Sequence, residues 1–105
     1  MHKISVVMAT YNGEKFVREQ IKSILNQTLV PNEIIISDDA SNDRTSDTLI
    51  EYQKKYPALI EIILNKSNVG FVKNFERALL NATGDFIALS DRDDVWMPEE
   101  LKYRI

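Results

Sequence analysis

The chain has 105 residues, a formal net charge of −3, 44% hydrophobic and 28% charged residues, and no cysteine. That length suits one compact domain with a modest core, and the composition is that of a soluble globular protein. The acidic balance argues against a nucleic-acid partner, which needs clustered Lys and Arg, and offers no basic face to anionic lipid. Without thiols, disulfides and thiolate metal sites are excluded, which fits a reducing compartment.

The first apolar run, Ile4 to Ala9, ends at polar Thr10. It is too short for a secretory h-region or a transmembrane span and reads as a strand. Phe16, Val17, Gln20, Ile21, Ile24 and Leu25 follow at helical spacing. A second run, Glu33 to Ser37, is rich in β-branched residues and reads as another strand. The next helix is expected from about Asn42 to Tyr56, with Ser41 or Asn42 as cap and Pro57 as stop. Ile60 to Leu64 forms a third strand. Phe71, Val72, Phe75, Ala78, Leu79 and Ala82 mark the clearest helix, with Asn68 as a candidate cap and Gly84 closing its end. Asp85 to Ser90 is a fourth strand, and Pro98-Glu99-Glu100 would open a further helix. The near-continuous apolar strands imply burial on both faces. Their alternation with helices implies right-handed βαβ units, hence an α/β fold: a Rossmann-like parallel sheet of four strands with helices on both faces. No internal repeat or linker is evident.

In such sheets ligands bind beyond the carboxyl ends of the strands. Here those ends run into Thr10-Tyr11-Asn12-Gly13, Asp38-Asp39-Ala40-Ser41-Asn42-Asp43, Asn65 to Gly70, and Asp91-Arg92-Asp93-Asp94, while the opposite ends show nothing comparable. Three carboxylates within Asp91–Asp94 repel one another unless a cation neutralises them, and oxygen ligands suit Mg²⁺ or Mn²⁺. The bland alternative is a solvated acidic turn. Its place after a buried strand favours the metal. For Asp38 and Asp39, cap and turn chemistry competes evenly with ligand binding, because adjacent residues point apart and one can serve each role. Tyr11 can stack on a base. The Thr10–Gly13 spacing alone is explained by a turn, with a positive φ at Gly13 and Asn12 as cap. Lys73 is either solvated or near a diphosphate at a helix start. His2 and Trp96 read as packing or surface residues, and Met8 and Met97 as packing residues.

Taken together, Ile4 to Gly13, Gln27-Thr28, Ile36 to Asp43, Asn68-Val69-Gly70 and Gly84 to Asp94 resemble glycosyltransferase family 2 in motif order and spacing across the chain. The resemblance implies the GT-A fold, a nucleotide-diphospho-sugar donor, Mg²⁺ or Mn²⁺ as cofactor, and inverting displacement. By carry-over, Thr10 and Tyr11 lie along the nucleotide, Asp39 bonds the base, Asp91 approaches the ribose, and Asp93 holds the metal. Asn68 and Lys73 are further donor contacts. Leu89 to Trp96 together with Asn74-Phe75 resembles the bacterial polysaccharide branch, whose acceptors are saccharides or lipid-linked sugars. That implies the cytoplasm, with the inner membrane face as the place where a lipid-linked acceptor would be met.

The family's general base lies downstream of its Asp-x-Asp segment, and this sequence continues only eleven residues past Asp94. Residues 1–105 are therefore expected to be a donor-binding part truncated at its C-terminus, inactive alone, and open to self-association through an uncovered strand edge. A haloacid-dehalogenase-like phosphatase is the rival enzyme, since Asp91 to Val95 fits its Asp-x-Asp signature. That signature normally follows the first strand of the core, however. A response-regulator receiver would need acids after the first strand, where Thr10-Tyr11-Asn12 stands. A non-catalytic nucleotide-binding or assembly module is the remaining alternative.

Overall fold

The computed structural model describes residues 2–90, 96–98 and 101. Its elements are β1 (Ile4–Thr10), α1 (Val17–Leu25), β2 (Glu33–Asp38), α2 (Thr45–Lys55), β3 (Ile60–Leu64), α3 (Phe71–Leu80) and β4 (Phe86–Ser90). Every strand pairing is parallel and the order is β3-β2-β1-β4. Two crossovers step from β1 outwards to β3, and the third returns past both neighbours to set β4 on the far side of β1. Right-handed crossovers running in opposite directions place their helices on opposite faces. The expected α/β architecture is the one observed.

Side-chain alternation divides the core accordingly. Ile4, Val6 and Met8 of β1, Ile34 and Ile36 of β2, Ile60 and Ala88 pack against Val17, Ile21 and Ile24 of α1 and Leu49 and Tyr52 of α2. On the other face Val7, Ile35 and Ala78 form a smaller cluster, with Ile63, Phe75 and Ala82 at its margin. Every residue of β1 is buried, as expected of a central strand. Burial of each large aliphatic side chain contributes roughly 1.5–3 kcal/mol.

Several sequence expectations need correction. β3 and β4 are not buried on both faces: Leu64 is exposed, and so are Phe86, Ile87 and Leu89. The reason is coverage, since α3 lies over β1 and β2 and leaves much of β4 open. The same geometry exposes Phe71, Val72 and Leu79, which the helical spacing assigned to a buried face. Met8 is fully buried as expected, but Met97 is 71% exposed. His2 sits at the surface, edge-on to the Phe86 ring.

Helix limits also move. α2 starts at Thr45 because Asp43 Oδ1 accepts both the N–H and the hydroxyl of Thr45, and the N–H of Asn42 is given to Asn12. α3 is preceded by Gly70 rather than capped by Asn68, and it ends at Leu80. Gly84 has a different purpose. A Cβ there would fall 2.5 Å from Ser5 Oγ and 2.9 Å from Lys3 O, so only glycine lets the turn before β4 approach β1 this closely. The helix expected from Pro98 falls mainly outside the described residues. Among the described residues no helix is long and apolar enough to cross a membrane.

The end of the sheet opposite the strand carboxyl termini carries a polar cluster that sequence reading overlooked. Ser5 donates to Glu33, which also accepts the N–H and hydroxyl of Thr83, while Lys3 bonds Thr83 and pairs with Glu33. Each contact closes the long crossover into β4, which is a structural role.

Candidate donor-binding rim

The carboxyl ends of β1 and β2 are built as one unit. Register pairs Thr10 with Asp38, and the Thr10 hydroxyl donates to Asp38 Oδ1 at 2.7 Å. Asp38 also accepts the N–H and hydroxyl of Ser41. Beyond the strands the loops are laced together: Asn12 N–H donates to Ser41 Oγ, Gly13 N–H to Thr45 Oγ1, and Glu14 N–H to Asp43 Oδ2. The tight turn takes its positive φ at Asn12 (48°), not at Gly13, and a second at Ala40 (56°). An alanine in the left-handed region costs about 1–2 kcal/mol, which the surrounding hydrogen bonds hold in place. Burial raises the affinity of Asp43 for its proton, but the hydrogen bonds from Thr45 and Glu14 outweigh it. Its carboxyl is held below the usual range.

Asp39, next in sequence to Asp38, turns towards the other face. Its Oδ1 accepts Val69 N–H at 2.7 Å and Asn65 Nδ2 at 3.3 Å, and its Oδ2 accepts Gly70 N–H at 3.1 Å. The carboxylate thus sits against the backbone that leads into α3, where the positive end of the helix dipole favours it. Gly70 has φ 92°, a conformation that favours glycine. The whole Asp39 residue is 6% exposed. Asn68, itself exposed, donates its amide to Asp39 O at 2.6 Å and so holds this turn through its backbone. Tyr11 is 42% exposed and borders a shallow recess with Thr10, Phe16 and Gln20. Lys73 is exposed on the first turn of α3.

Asp91 and Asp93, the expected ribose and metal contacts, lie outside the described residues, as does the rest of 91–95. Their flanks are described. β4 pairs with β1 up to Met8↔Ser90, two residues before the end of β1 at Thr10. Ser90 is bonded by Gln20 of α1, and Trp96 N–H donates to Ser23 Oγ of the same helix. Gln27 then accepts Leu101 N–H and donates to Met97 O. Trp96, 3% exposed, packs into the α1 side of the core, in line with a packing role. Among the described residues no three His, Cys, Asp or Glu side chains are gathered to hold a metal.

Sequence reasoning named Gln20, Asn65 and Asn74 without giving them a site role and passed over Arg77; these polar residues join the rim from behind. Asn65 and Asn74 are buried and bonded to each other. A buried amide in an otherwise apolar helical stripe was the available signal for Asn74.

The model of the family described as Glycosyl transferase family 2 matches residues 5–105. The chain belongs to that family. Among curated relatives, the dTDP-rhamnosyl transferase RfbG of Shigella flexneri is 41% identical over 102 residues, covering 93% of this chain and 35% of that protein. Among solved structures, S. aureus TarS 1-349 in complex with UDP superposes with a TM-score of 0.83 at 32% identity, over 96% of this chain and 30% of that one. The mannosyltransferase PcManGT of Pyrobaculum calidifontis, in complex with GDP-Man and Mn²⁺, shares the fold at TM-score 0.84 and 23% identity, over 98% and 30%. The chain spans about a third of the length of the curated relatives it matches. Family 2 membership removes the phosphatase rival, in accord with the acidic motif following β4 rather than β1.

Proposed function

We propose that residues 1–105 form the donor-binding part of a glycosyltransferase that uses a nucleotide-diphospho-sugar and acts in surface polysaccharide synthesis on a saccharide or lipid-linked acceptor. The observation that carries this is the convergence at one rim of Thr10, exposed Tyr11, the buried Asp39 carboxylate and the strand leading to Asp91–Asp94. The 32% identity to a protein solved with UDP supports a nucleotide there.

Asp39 accepts an N–H from the edge of the base, and Tyr11 covers the base face. Thr10 borders the nucleotide with its hydroxyl, whose proton is given to Asp38 and whose oxygen still accepts. Asp91 takes a ribose hydroxyl, and Asn68 and Lys73 border the donor. Asp91, Asp93 and Asp94 offer a set of hard oxygen donors that fits Mg²⁺ or Mn²⁺, with Asp93 as the ligand. When bound, that ion supplies positive charge against the diphosphate. Attack by an acceptor hydroxyl at the anomeric carbon inverts it and expels the nucleoside diphosphate. Deprotonation of that hydroxyl requires a general base, a role none of these donor-binding residues takes. A cytoplasmic setting, at the inner membrane face for a lipid-linked acceptor, follows from such a donor.

Calorimetric titration of UDP, dTDP and GDP with and without Mn²⁺ tests the proposal. Binding that requires the ion and is lost in Asp93→Ala is expected. A folded chain that binds none of the three would remove the donor-site reading. Metal-independent binding that survives Asp93→Ala would favour a non-catalytic nucleotide module.

A further inference from the structure

Asn65 follows β3 directly, is 7% exposed, and is joined to four groups. Its backbone N–H donates to Asp38 O at 3.0 Å. Its Oδ1 accepts Arg77 Nη1 at 2.9 Å. Its Nδ2 donates to Asp39 Oδ1 at 3.3 Å and to Asn74 Oδ1 at 3.0 Å. The amide has one possible orientation. A guanidinium only donates and a carboxylate only accepts, so exchanging Oδ1 and Nδ2 would set donor against donor and acceptor against acceptor. Asn74 is fixed in the same way, because its Nδ2 donates to the carbonyl of Thr10 at 3.1 Å while its Oδ1 also accepts the Ser37 hydroxyl.

The consequence reaches Asp39. Its Oδ1 carries two donors, Val69 N–H and Asn65 Nδ2, which fill both lone pairs. Its Oδ2 carries one, Gly70 N–H, and keeps a lone pair free of these bonds. The terminal torsion of an aspartate is soft, and two backbone N–H groups, one on each oxygen, narrow its rocking without ending it. Asn65 removes that freedom.

We infer that Asn65, locked by Arg77, is the positioning residue that presents Asp39 Oδ2 as the single acceptor for the base. The inference rests on the donor-site reading of Asp39. Neither Asn65 nor Arg77 touches the base. Both act through the aspartate.

The test compares UDP with 3-methyl-UDP and GDP with 1-methyl-GDP, in the presence of Mn²⁺, on the intact chain and two variants. Methylation removes the N–H that Oδ2 would accept. The unaltered chain should prefer the unmethylated member of its recognised pair by about tenfold or more, the worth of a hydrogen bond to a charged group. Asn65→Leu should bring that ratio to within about threefold, because only the unmethylated nucleotide loses affinity. Arg77→Met, at an exposed position, should lower the ratio with an unchanged thermal midpoint, and it decides the matter if Asn65→Leu does not fold. Equal losses for both nucleotides, leaving the ratio intact, would show that Asn65 merely supports the fold and would overturn the inference. In nucleotide-free protein the carboxyl carbon resonance of Asp39 should shift in each folded variant. A stationary resonance overturns the inference by itself. A shifted resonance in a chain that binds no nucleotide upholds the positioning and strikes only the donor-site reading.

Discussion

The carboxylates of Asp38 and Asp39 differ in what remains to them after the fold is made. Asp38 accepts from the Thr10 hydroxyl and from the N–H and hydroxyl of Ser41, and every one of those donors belongs to the β1 and β2 turns. Asp39 faces the backbone before α3 and keeps an acceptor position on Oδ2. Asp38→Asn should therefore lower stability by about 1–3 kcal/mol, since an amide cannot accept from all three donors and one is left unpaired. Urea denaturation would measure the loss, and preference for unmethylated nucleotide should be retained. A lost preference with unchanged stability would reverse the roles of the two aspartates. From sequence these roles stood level. Alternation shows that neighbours point apart, but which face meets a helix start depends on where α3 lies, a tertiary fact. For Thr10 the strand end was legible, but the partner of its hydroxyl was not, because that depends on the register between β1 and β2.

At the scale of elements, α1 does more than cover the core. Gln20 and Ser23 on it, with Gln27 just past its end, hold Ser90, Trp96, Met97 and Leu101. Both flanks of the acidic segment 91–95 are thereby tied to one helix. Gln27→Ala removes the bonds to Met97 O and Leu101 N–H without touching the rim. Emission from the buried Trp96 should shift to longer wavelength as water reaches the indole. Affinity for nucleotide with Mn²⁺ should fall severalfold through loss of preorganisation, on the order of 1 kcal/mol. Unchanged emission would mean that Trp96 is held by packing alone. The four strands and three helices were legible because their hydrophobic periods are strong. Their limits were less so. Residues 42–44 look like the start of a helix by composition, yet their polar groups serve the contacts to Asn12, Glu14 and Thr45, and α2 begins after them.

Across the whole molecule, the sheet order divides the labour between its two ends. The carboxyl end forms the rim, and the opposite end is fastened by Glu33, which joins β1 through Ser5 to the turn before β4 through Thr83. Between them the α3–β4 face leaves Val72, Leu79, Leu80, Ile87 and Leu89 exposed among the described residues. Periodicity marked these residues as apolar but could not show that α3 leaves them open.

The Glu33 fastening sets how the fold responds to acid. Burial alone would raise the Glu33 carboxyl. The donors Ser5 and Thr83 and the charge of Lys3 outweigh it and hold the carboxyl below its ordinary value. Asp43 at the rim is lowered in the same sense. A carboxyl whose folded pKa is depressed binds its proton more readily in the unfolded chain. Its contribution is therefore complete above the unfolded values, about 3.9 for Asp and 4.3 for Glu, and is lost as pH falls through the lower folded values. Urea midpoints should stay level from pH 7 to about pH 5 as far as these two groups are concerned, then decline towards pH 3. Glu33→Gln should be less stable than the unaltered chain at pH 7, because its single amide oxygen cannot replace both acceptor oxygens and the charge that pairs with Lys3 is lost. The gap between the two should narrow as Glu33 becomes protonated. Midpoint curves that run parallel down to pH 3 would show that ionised Glu33 contributes nothing to holding β4 against β1.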